Sequence, residues 1–387
     1  MEKKRILLLG STGSIGRQTL DVISRNPELF DVVGLAAGSN ADALREQALA
    51  MECQYLGLAF APAAERLREE CTQIGTSGSV EVFRGAEGLV EMVEACRPDL
   101  VVGAISGFSG LPSILAALEA GISVALANKE PLVAAGELVT RTAEESGADI
   151  IPIDSELSAI FQCLKGERSA DIKRIILTAS GGPFAELSAE ELRSVTAEQA
   201  LAHPTWRMGR KVTIDSATLA NKGFEIFEMR WLFGVSFPQV EVVVHHQSII
   251  HSLVEFCDTS ILAQMGRPDM RVAIQYALTH PHRVVSSIER LDLAHSRPLT
   301  FAEPDVEKFP CLRLARAAGE AGGGYPVVLI GADQAAVELF LNGDIRFVDI
   351  PARIEKALDA HDGTAPEGLD DIRELNDWAY GYVTKLR

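Results

Sequence analysis

Residues 5–16 read RILLLGSTGSIG, and this stretch decides the fold class. Ile6, Leu7, Leu8 and Leu9 form an apolar run with no alternation, as in a strand buried on both faces. Gly10, Gly13 and Gly16 follow at the spacing G-x-x-G-x-x-G, and a helix then runs to the Asn26-Pro27 pair. Glycines at such a strand-to-helix turn allow a tight bend. They also let backbone N–H groups approach a pyrophosphate at the helix N-terminus. The motif is a variant of the dinucleotide fingerprint, with an ordinary glycine turn as the competing reading.

Outward from this point, further short apolar strands are predicted at 32–36, 55–60, 80–83, 100–105, 123–126 and 150–153. Helical stretches at 41–51, 88–95, 112–120 and 132–145 lie between most of them. Alternation of this kind implies a parallel, doubly wound α/β sheet of Rossmann type over residues 1–154. Beyond Asp154, strands at 174–178, 240–245, 248–256 and 260–265 cluster with helices around them, which predicts an α+β domain over 155–280. Residues 281–310 carry Pro, Ser and His without periodicity and read as a connecting segment. Residues 311–387 read as a C-terminal helical domain.

The composition narrows the function. At 387 residues, 47% hydrophobic and 23% charged, the chain is globular and long enough for two or three cores. Fifty-four acidic against 36 basic residues give a net charge of −18, which disfavours nucleic acid and anionic membranes as partners. A recognised phosphate is therefore expected to be small and locally caged. Cys53, Cys71, Cys96, Cys163, Cys257 and Cys311 show no metal or redox spacing and read as free thiols in a reducing compartment. With no signal-type segment and no apolar run of membrane length, the expected location is cytoplasmic.

Four further motifs carry chemistry. The second strand ends Gly38-Ser39-Asn40, small and neutral where an NAD enzyme usually carries an acid, so NADP is expected. Arg45 is the nearest cation, and Ser39 and Asn40 could equally cap the next helix. Asn128-Lys129-Glu130 follows the strand at 123–126, at the edge where such sheets bind ligands. Asp154-Ser155-Glu156 places two carboxylates on one side of an extended segment. With Glu225 as a third they make a hard, all-oxygen site suited to Mg2+ or Mn2+, with Co2+ as a further candidate. The alternative is an acidic helix N-terminus.

Ser180-Gly181-Gly182 forms a glycine-freed, phosphate-type turn after a strand. Residues 203–225, HPTWRMGRKVTIDSATLANKGFE, are the densest in polar groups. Read as one helix from near Ser216, they put Thr218, Asn221, Lys222, Glu225 and Glu228 within an arc of about 120°. Such a stripe either faces solvent or holds a phosphate beside a metal. Trp206, in a loop bounded by Gly209, is a packed anchor or a lid. His245, His246 and His251 read as core or edge histidines.

The segments GSTGSIGRQTLDVI, ALANKE, DSE, SAIFQ, ILTASGGPF and HPTWRMGRKVTIDSATLANKG closely resemble 1-deoxy-D-xylulose 5-phosphate reductoisomerases, in order from residue 5 to at least Phe347. The resemblance implies an NADPH-binding domain at 1–154, a catalytic and dimerising domain at 155–280, and a homodimer. It implies rearrangement of that phosphorylated sugar and its reduction to 2-C-methyl-D-erythritol 4-phosphate, in non-mevalonate isoprenoid synthesis. Carried over, Thr12, Gly13, Ser14, Ile15, Gly38, Ser39, Asn40, Asn128, Glu130 and Gly209 would meet the cofactor. Asp154, Glu156 and Glu225 would hold the metal, and Ser155 and Lys129 would touch the substrate's oxygenated carbons. Ser180, His203, Ser216, Asn221 and Lys222 would hold substrate and phosphate, under a flap bearing Trp206 and Met208.

The chain departs from the family pattern at Pro131, Leu157, His246 and the segment Ile330-Gly331-Ala332-Asp333-Gln334. Two other readings stay open. One is a different Rossmann-fold NADP oxidoreductase acting on a small phosphorylated or aldehyde substrate, for which Cys163 is the nearest nucleophile. The other is a non-catalytic NADP-binding protein.

Overall fold

The computed structural model describes residues 2–74, 80–296 and 298–386, and of 71–74 only the backbone. The chain forms two compact units. Met1–Pro131, Val139–Ser158 and Asp269–Ile288 make unit 1; Leu132–Leu138, Ala159–Pro268 and Glu289–Arg387 make unit 2.

Unit 1 is built on seven parallel strands: β1 (Lys4–Leu9), β2 (Phe30–Ala37), β3 (Tyr55–Leu58), β4 (Glu81–Arg84), β5 (Leu100–Gly103), β6 (Ser123–Leu126) and β7 (Ile150–Pro152). Their order is β4-β3-β2-β1-β5-β6-β7. β1 is the centre: Leu7, Leu8 and Leu9 face Gly34, Leu35 and Ala36 of β2 on one side and Val101, Val102 and Gly103 of β5 on the other. The unbroken apolar run is what a strand covered on both faces requires. The sheet grows outward from β1 in one direction and then, from β5, in the other. The loops at this switch point diverge at the C-terminal edge, where ligands bind in such sheets. Gly10 to Gly16 follow β1, Asn128 to Glu130 follow β6, and Asp154 to Glu156 follow β7, all at that edge.

The helix Met270–Thr279, though distant in sequence, packs against the helix Ser14–Ser24. Arg271 donates to Asp21 at 2.8 Å and to Asp269 at 2.7 Å, and Lys4 Nζ donates to the Leu278 carbonyl at 2.8 Å. These contacts explain why Asp269–Ile288 belongs to unit 1.

Unit 2 holds a four-stranded mixed sheet of β8 (Ile172–Ala179), β9 (Val240–Val244), β10 (Ile250–Phe256) and β11 (Ile261–Met265), in the order β11-β10-β8-β9. β8 and β9 are parallel and the other pairs antiparallel. Four helices, Cys311–Ala321, Tyr325–Asn342, Asp349–Ala360 and Leu369–Lys385, close the chain. Small residues set their spacing. A Cβ on Gly331 would lie 2.4 Å from the Asn376 carbonyl oxygen, and one on Gly223 2.3 Å from Ala315 Cβ. The fold is thus mixed α/β with a Rossmann-like parallel sheet, a second sheet and C-terminal helices.

One local expectation fails. The polar stretch is not a single helix from Ser216. Helix Arg210–Thr218 ends at Leu219, whose left-handed φ of 62° breaks the chain direction before helix Ala220–Phe233 begins. Ser216 and Thr218 therefore lie on a different helix from Asn221, Lys222 and Glu225. A buried Leu, at 3% exposure, holds this unusual backbone in place because its side chain is packed.

The glycine loop gives a direct test. A Cβ on Gly16 would sit 2.3 Å from the Gly10 carbonyl oxygen and 2.5 Å from Ser11 Cα, both backbone atoms that cannot swing away. Gly16→Ala is expected to cost about 1–3 kcal/mol of stability, as overpacking does. It should also weaken dinucleotide binding at least tenfold in a fluorescence titration. Unchanged melting and unchanged binding would show that the turn is looser than this geometry.

Candidate functional site

In unit 1 the elements converge on the loop after β1. Gly10 adopts φ +95° with its missing Cβ 2.3 Å from the Ala104 carbonyl, so the chain can bend there only as glycine. Helix Ser14–Ser24 starts at Gly13 with no side-chain cap, so its positive dipole end points out of the turn. That N-terminus over a Cβ-free turn fits a pyrophosphate. At the tip of β2, Asn40 caps the next helix through Oδ1 and Ala43 N at 3.1 Å. Gly38 meets nothing within 4 Å of an added Cβ, and Ser39 is exposed. Arg45 pairs with Glu70 at 3.4 Å. The Gly38–Ser39 corner is open, which leaves room for a ribose 2′-phosphate.

Along the same edge, Asn128 Nδ2 donates to the Gly107 carbonyl at 2.9 Å, while its Oδ1 accepts from Glu130 N at 3.3 Å. Asn128, Lys129 and Glu130 are all buried. Lys129 Nζ forms an ion pair with Asp154, whose other oxygen accepts from Ser155 N at 3.1 Å. Ser155 Oγ donates to Glu156 Oε2 at 2.6 Å. Lys129 thus faces the Asp154 carboxylate, and the Ser155 hydroxyl faces that of Glu156. Pro131 sits in the first turn of helix Glu130–Ser146, where a missing N–H is harmless. Leu157 is a core side chain at 0% exposure.

In unit 2 the helix Ala220–Phe233 is enclosed on every side of its first turns. Asn221 is 8% exposed, Lys222 6% and Glu225 0%. A solvated polar stripe is excluded. Lys222 Nζ donates to both Glu225 oxygens at 3.0 and 2.7 Å, and Asn221 Nδ2 donates to the same carboxylate. Spacings of three and four residues bring these groups to one face. Asn221 Oδ1 is buried without a hydrogen-bond partner. A buried carboxylate beside an amide oxygen that has no hydrogen-bond partner fits a hard cation.

The turn after β8 is held differently. His203 Nδ1 accepts from Thr205 N at 3.1 Å and Trp206 N at 2.9 Å, so the ring's proton is on Nε2. That Nε2–H faces Ser180 Oγ at 3.0 Å, and Gly182 N donates to the same oxygen at 3.3 Å. With its oxygen already accepting twice, the Ser180 hydroxyl keeps its own proton to donate. Gly182, at φ +68°, packs against the backbone of Ser216 and Ala217. Trp206 is half-buried with its ring 6.1 Å from that of His251, and Met208 is half-buried beside it. Gly209 is the N-cap of helix Arg210–Thr218.

Two contacts lay outside the sequence reading. Lys211 Nζ reaches Asp215 and Asp333, each at 2.7 Å, and lies 5.1 Å from the Phe224 ring centroid. Asp333, one of the departures from the family pattern, thus ties helix Tyr325–Asn342 to helix Arg210–Thr218. His246, another departure, meets the Ser180 carbonyl at 2.9 Å. The competing nucleophile fails: desolvation pushes the Cys163 thiol up to about 11, so it stays protonated. The side chain of Cys71 lies outside the described residues.

A family model described as 1-deoxy-D-xylulose 5-phosphate reductoisomerase matches residues 6–136, and models of that enzyme's C-terminal domains match 150–233 and 265–382. A protein of that name from Pelotomaculum thermopropionicum is 50% identical over 388 residues, covering 99% of this chain and 98% of the relative. One from Chloroherpeton thalassium is 48% identical, covering 98% and 97%. The Zymomonas mobilis enzyme solved with NADPH is 40% identical at a TM-score of 0.91, covering 99% of this chain and 98% of that one. A reductoisomerase solved with NADPH, fosmidomycin and magnesium is 38% identical at 0.93, covering 98% and 97%.

Burial, and after it the Lys222 charge, holds the His203 pKa down to about 4, against an ordinary 6.5. Between those values the unfolded chain binds a proton that the folded chain refuses. His203's contribution to stability is therefore complete above pH 6.5 and drains away as pH falls toward 4. In an NMR titration of the ligand-free protein, the His203 ring should stay neutral to about pH 4. A midpoint near 6.5 would contradict the buried, Nε2-protonated ring.

Proposed function

The chain belongs to the 1-deoxy-D-xylulose 5-phosphate reductoisomerase family, and on that premise we propose how its own residues carry the reaction. The enzyme rearranges 1-deoxy-D-xylulose 5-phosphate and reduces it with NADPH to 2-C-methyl-D-erythritol 4-phosphate, in isoprenoid precursor synthesis, using a divalent metal. The observation that carries the residue-level reading is the fully buried Glu225 carboxylate, with Lys222 and Asn221 on it.

Thr12, Gly13, Ser14 and Ile15 take the NADPH pyrophosphate. Gly38, Ser39 and Asn40 leave room for the 2′-phosphate, and Asn128, Glu130 and Gly209 complete the cofactor contacts. Asp154, Glu156 and Glu225 hold Mg2+ or Mn2+, with Co2+ as a further candidate. The bound ion supplies Lewis acidity to the substrate's ketone and neighbouring hydroxyl oxygens. Lys129 and Ser155, both bonded to these acids, align the oxygenated carbons. Ser180, Ser216, Asn221 and Lys222 hold the phosphate, which lies remote from the reacting carbons and orients them. His203 fixes Ser180 and the backbone of Trp206 together, so the flap bearing Trp206 and Met208 is tied to the phosphate turn. Its closure excludes water while the aldehyde intermediate meets hydride.

Residues 1–154 serve NADPH binding, 155–280 catalysis and dimerisation, and 281–310 connect to the helical domain at 311–387. A homodimer is supported by β11, a sheet-edge strand whose Ile261, Leu262 and Met265 are exposed. Free thiols, Cys257 among them exposed, fit the reducing cytoplasm.

Asp154→Asn and Glu225→Gln are expected to lose most of kcat while NADPH still binds, and EDTA should abolish turnover until metal is restored. Full activity after exhaustive chelation would contradict the three-carboxylate cage. Lys222→Ala should cost about 2–4 kcal/mol of transition-state binding with the phosphorylated substrate and far less with an analogue lacking the phosphate. It should also lower the melting point by leaving Glu225 buried and uncompensated. Equal kinetic losses for both substrates would remove Lys222 from the phosphate site.

A further inference from the structure

We propose that His246 is a positioning residue for the phosphate turn: its imidazole locks Ser180, Gly181 and Gly182 in the shape that presents the Ser180 hydroxyl to the substrate. The inference rests on the reading that Ser180 binds the phosphate.

His246 follows β9 on an anchored base. His245 is fully buried. Its N–H donates to the Ala179 carbonyl at 2.7 Å, and its Nδ1 faces the Thr300 carbonyl at 2.9 Å. Its Nε2 accepts from Ile249 N and Ile250 N at 3.3 and 3.2 Å, and its ring stacks 4.8 Å from Phe301. The next residue therefore projects from a fixed point. His246 Nδ1 lies 2.9 Å from the Ser180 carbonyl oxygen. A carbonyl only accepts, so Nδ1 carries the proton and donates. The ring also lies over Gly181, where an added Cβ would come within 2.8 Å of His246 Cε1. Gly181 and Gly182 both adopt positive φ, at +86° and +68°, and neither has a side chain of its own to limit its motion.

The turn is thus gripped at three points. Ser180 Oγ meets His203 at 3.0 Å, a Cβ on Gly182 would stand 3.0 Å from the Ser216 carbonyl oxygen, and the Ser180 carbonyl receives His246. The first two belong to groups already assigned to the substrate. The third comes from His246, one of the departures from the family pattern, whose ring supplies a side-chain donor. An ordinary exposed histidine would explain the half-exposed ring, but not a donor aimed at the carbonyl of the phosphate-turn serine.

The test uses the full-length enzyme with NADPH and metal. It measures KM for the phosphorylated substrate, kcat, and inhibition by inorganic phosphate. His246→Ala should raise both KM and the phosphate inhibition constant about three- to tenfold, the worth of one hydrogen bond, with kcat within about twofold. Asn places an N–H donor near the position of Nδ1, whereas Gln mimics Nε2. His246→Asn should therefore restore both constants to within about twofold, and His246→Gln should behave like the alanine variant. Equal behaviour of the Asn and Gln variants would overturn the proposal, as would a loss confined to kcat or to thermal stability. Ser180→Ala separates the two levels. If it leaves phosphate inhibition unchanged, the assignment of Ser180 fails; if it weakens inhibition while His246→Ala does not, only the role of His246 fails.

Discussion

Glu225 is a carboxylate with no access to water, and the rest of unit 2 is arranged around making that tolerable. An isolated buried carboxylate is costly enough that it would shed its charge. Here Lys222 reaches both of its oxygens and Asn221 one of them, from positions three and four residues earlier on the same helix. This works only if the helix is enclosed. Gly223 permits that by letting helix Cys311–Ala321 approach until Ala315 fills the space of a side chain. The helix must also start where Asn221 and Lys222 point at Glu225. The left-handed backbone at Leu219 sets that start and separates Ser216 onto its own helix.

Unit 1 meets a related constraint with a different device. Its sheet supplies one edge at which three loops end, and the polar groups there are paired within the unit. Lys129 sits on Asp154, Ser155 on Glu156, and Asn128 bridges Gly107 and Glu130. In a chain with net charge −18, these few buried cations are local exceptions that make small anionic ligands acceptable. His203 adds a neutral group beside Lys222, so the Ser180 turn gains a hydrogen-bond donor without more positive charge.

Most of this was legible wherever a residue's partners lie nearby in sequence. Strand β6 and helix Ala41–Met51 fall at their predicted limits, and β1 ends where predicted but starts two residues earlier, because burial on both faces and an Asn cap are local signals. Helix Ala61–Ile74 went unread because its Glu and Arg content masks a narrow apolar face. The break at Leu219 could not be seen, since leucine seldom takes positive φ and only tertiary packing holds it there. Helix Met270–Thr279 joins unit 1 through Arg271 and Asp21, a pairing across 250 positions that no local pattern announces. Within the site, carboxylates, glycines and the Lys222–Glu225 spacing were readable from residue chemistry and from the family resemblance. Asp333 was visible only as a departure, and His246 as a departure and a core or edge histidine. Their partners, Lys211 and the Ser180 carbonyl, are set by the fold.

We propose that Glu225 is a metal ligand whose charge Lys222 balances until metal and substrate arrive. Diffraction from crystals soaked with Mn2+ and a phosphonate hydroxamate, recorded at the manganese absorption edge, tests it most directly. The account predicts one strong anomalous peak bonded to Asp154, Glu156 and Glu225, with Lys222 Nζ moved from Glu225 to the phosphonate. A peak elsewhere, or one on those carboxylates with Lys222 still paired to Glu225 and the phosphonate bound without it, would contradict it.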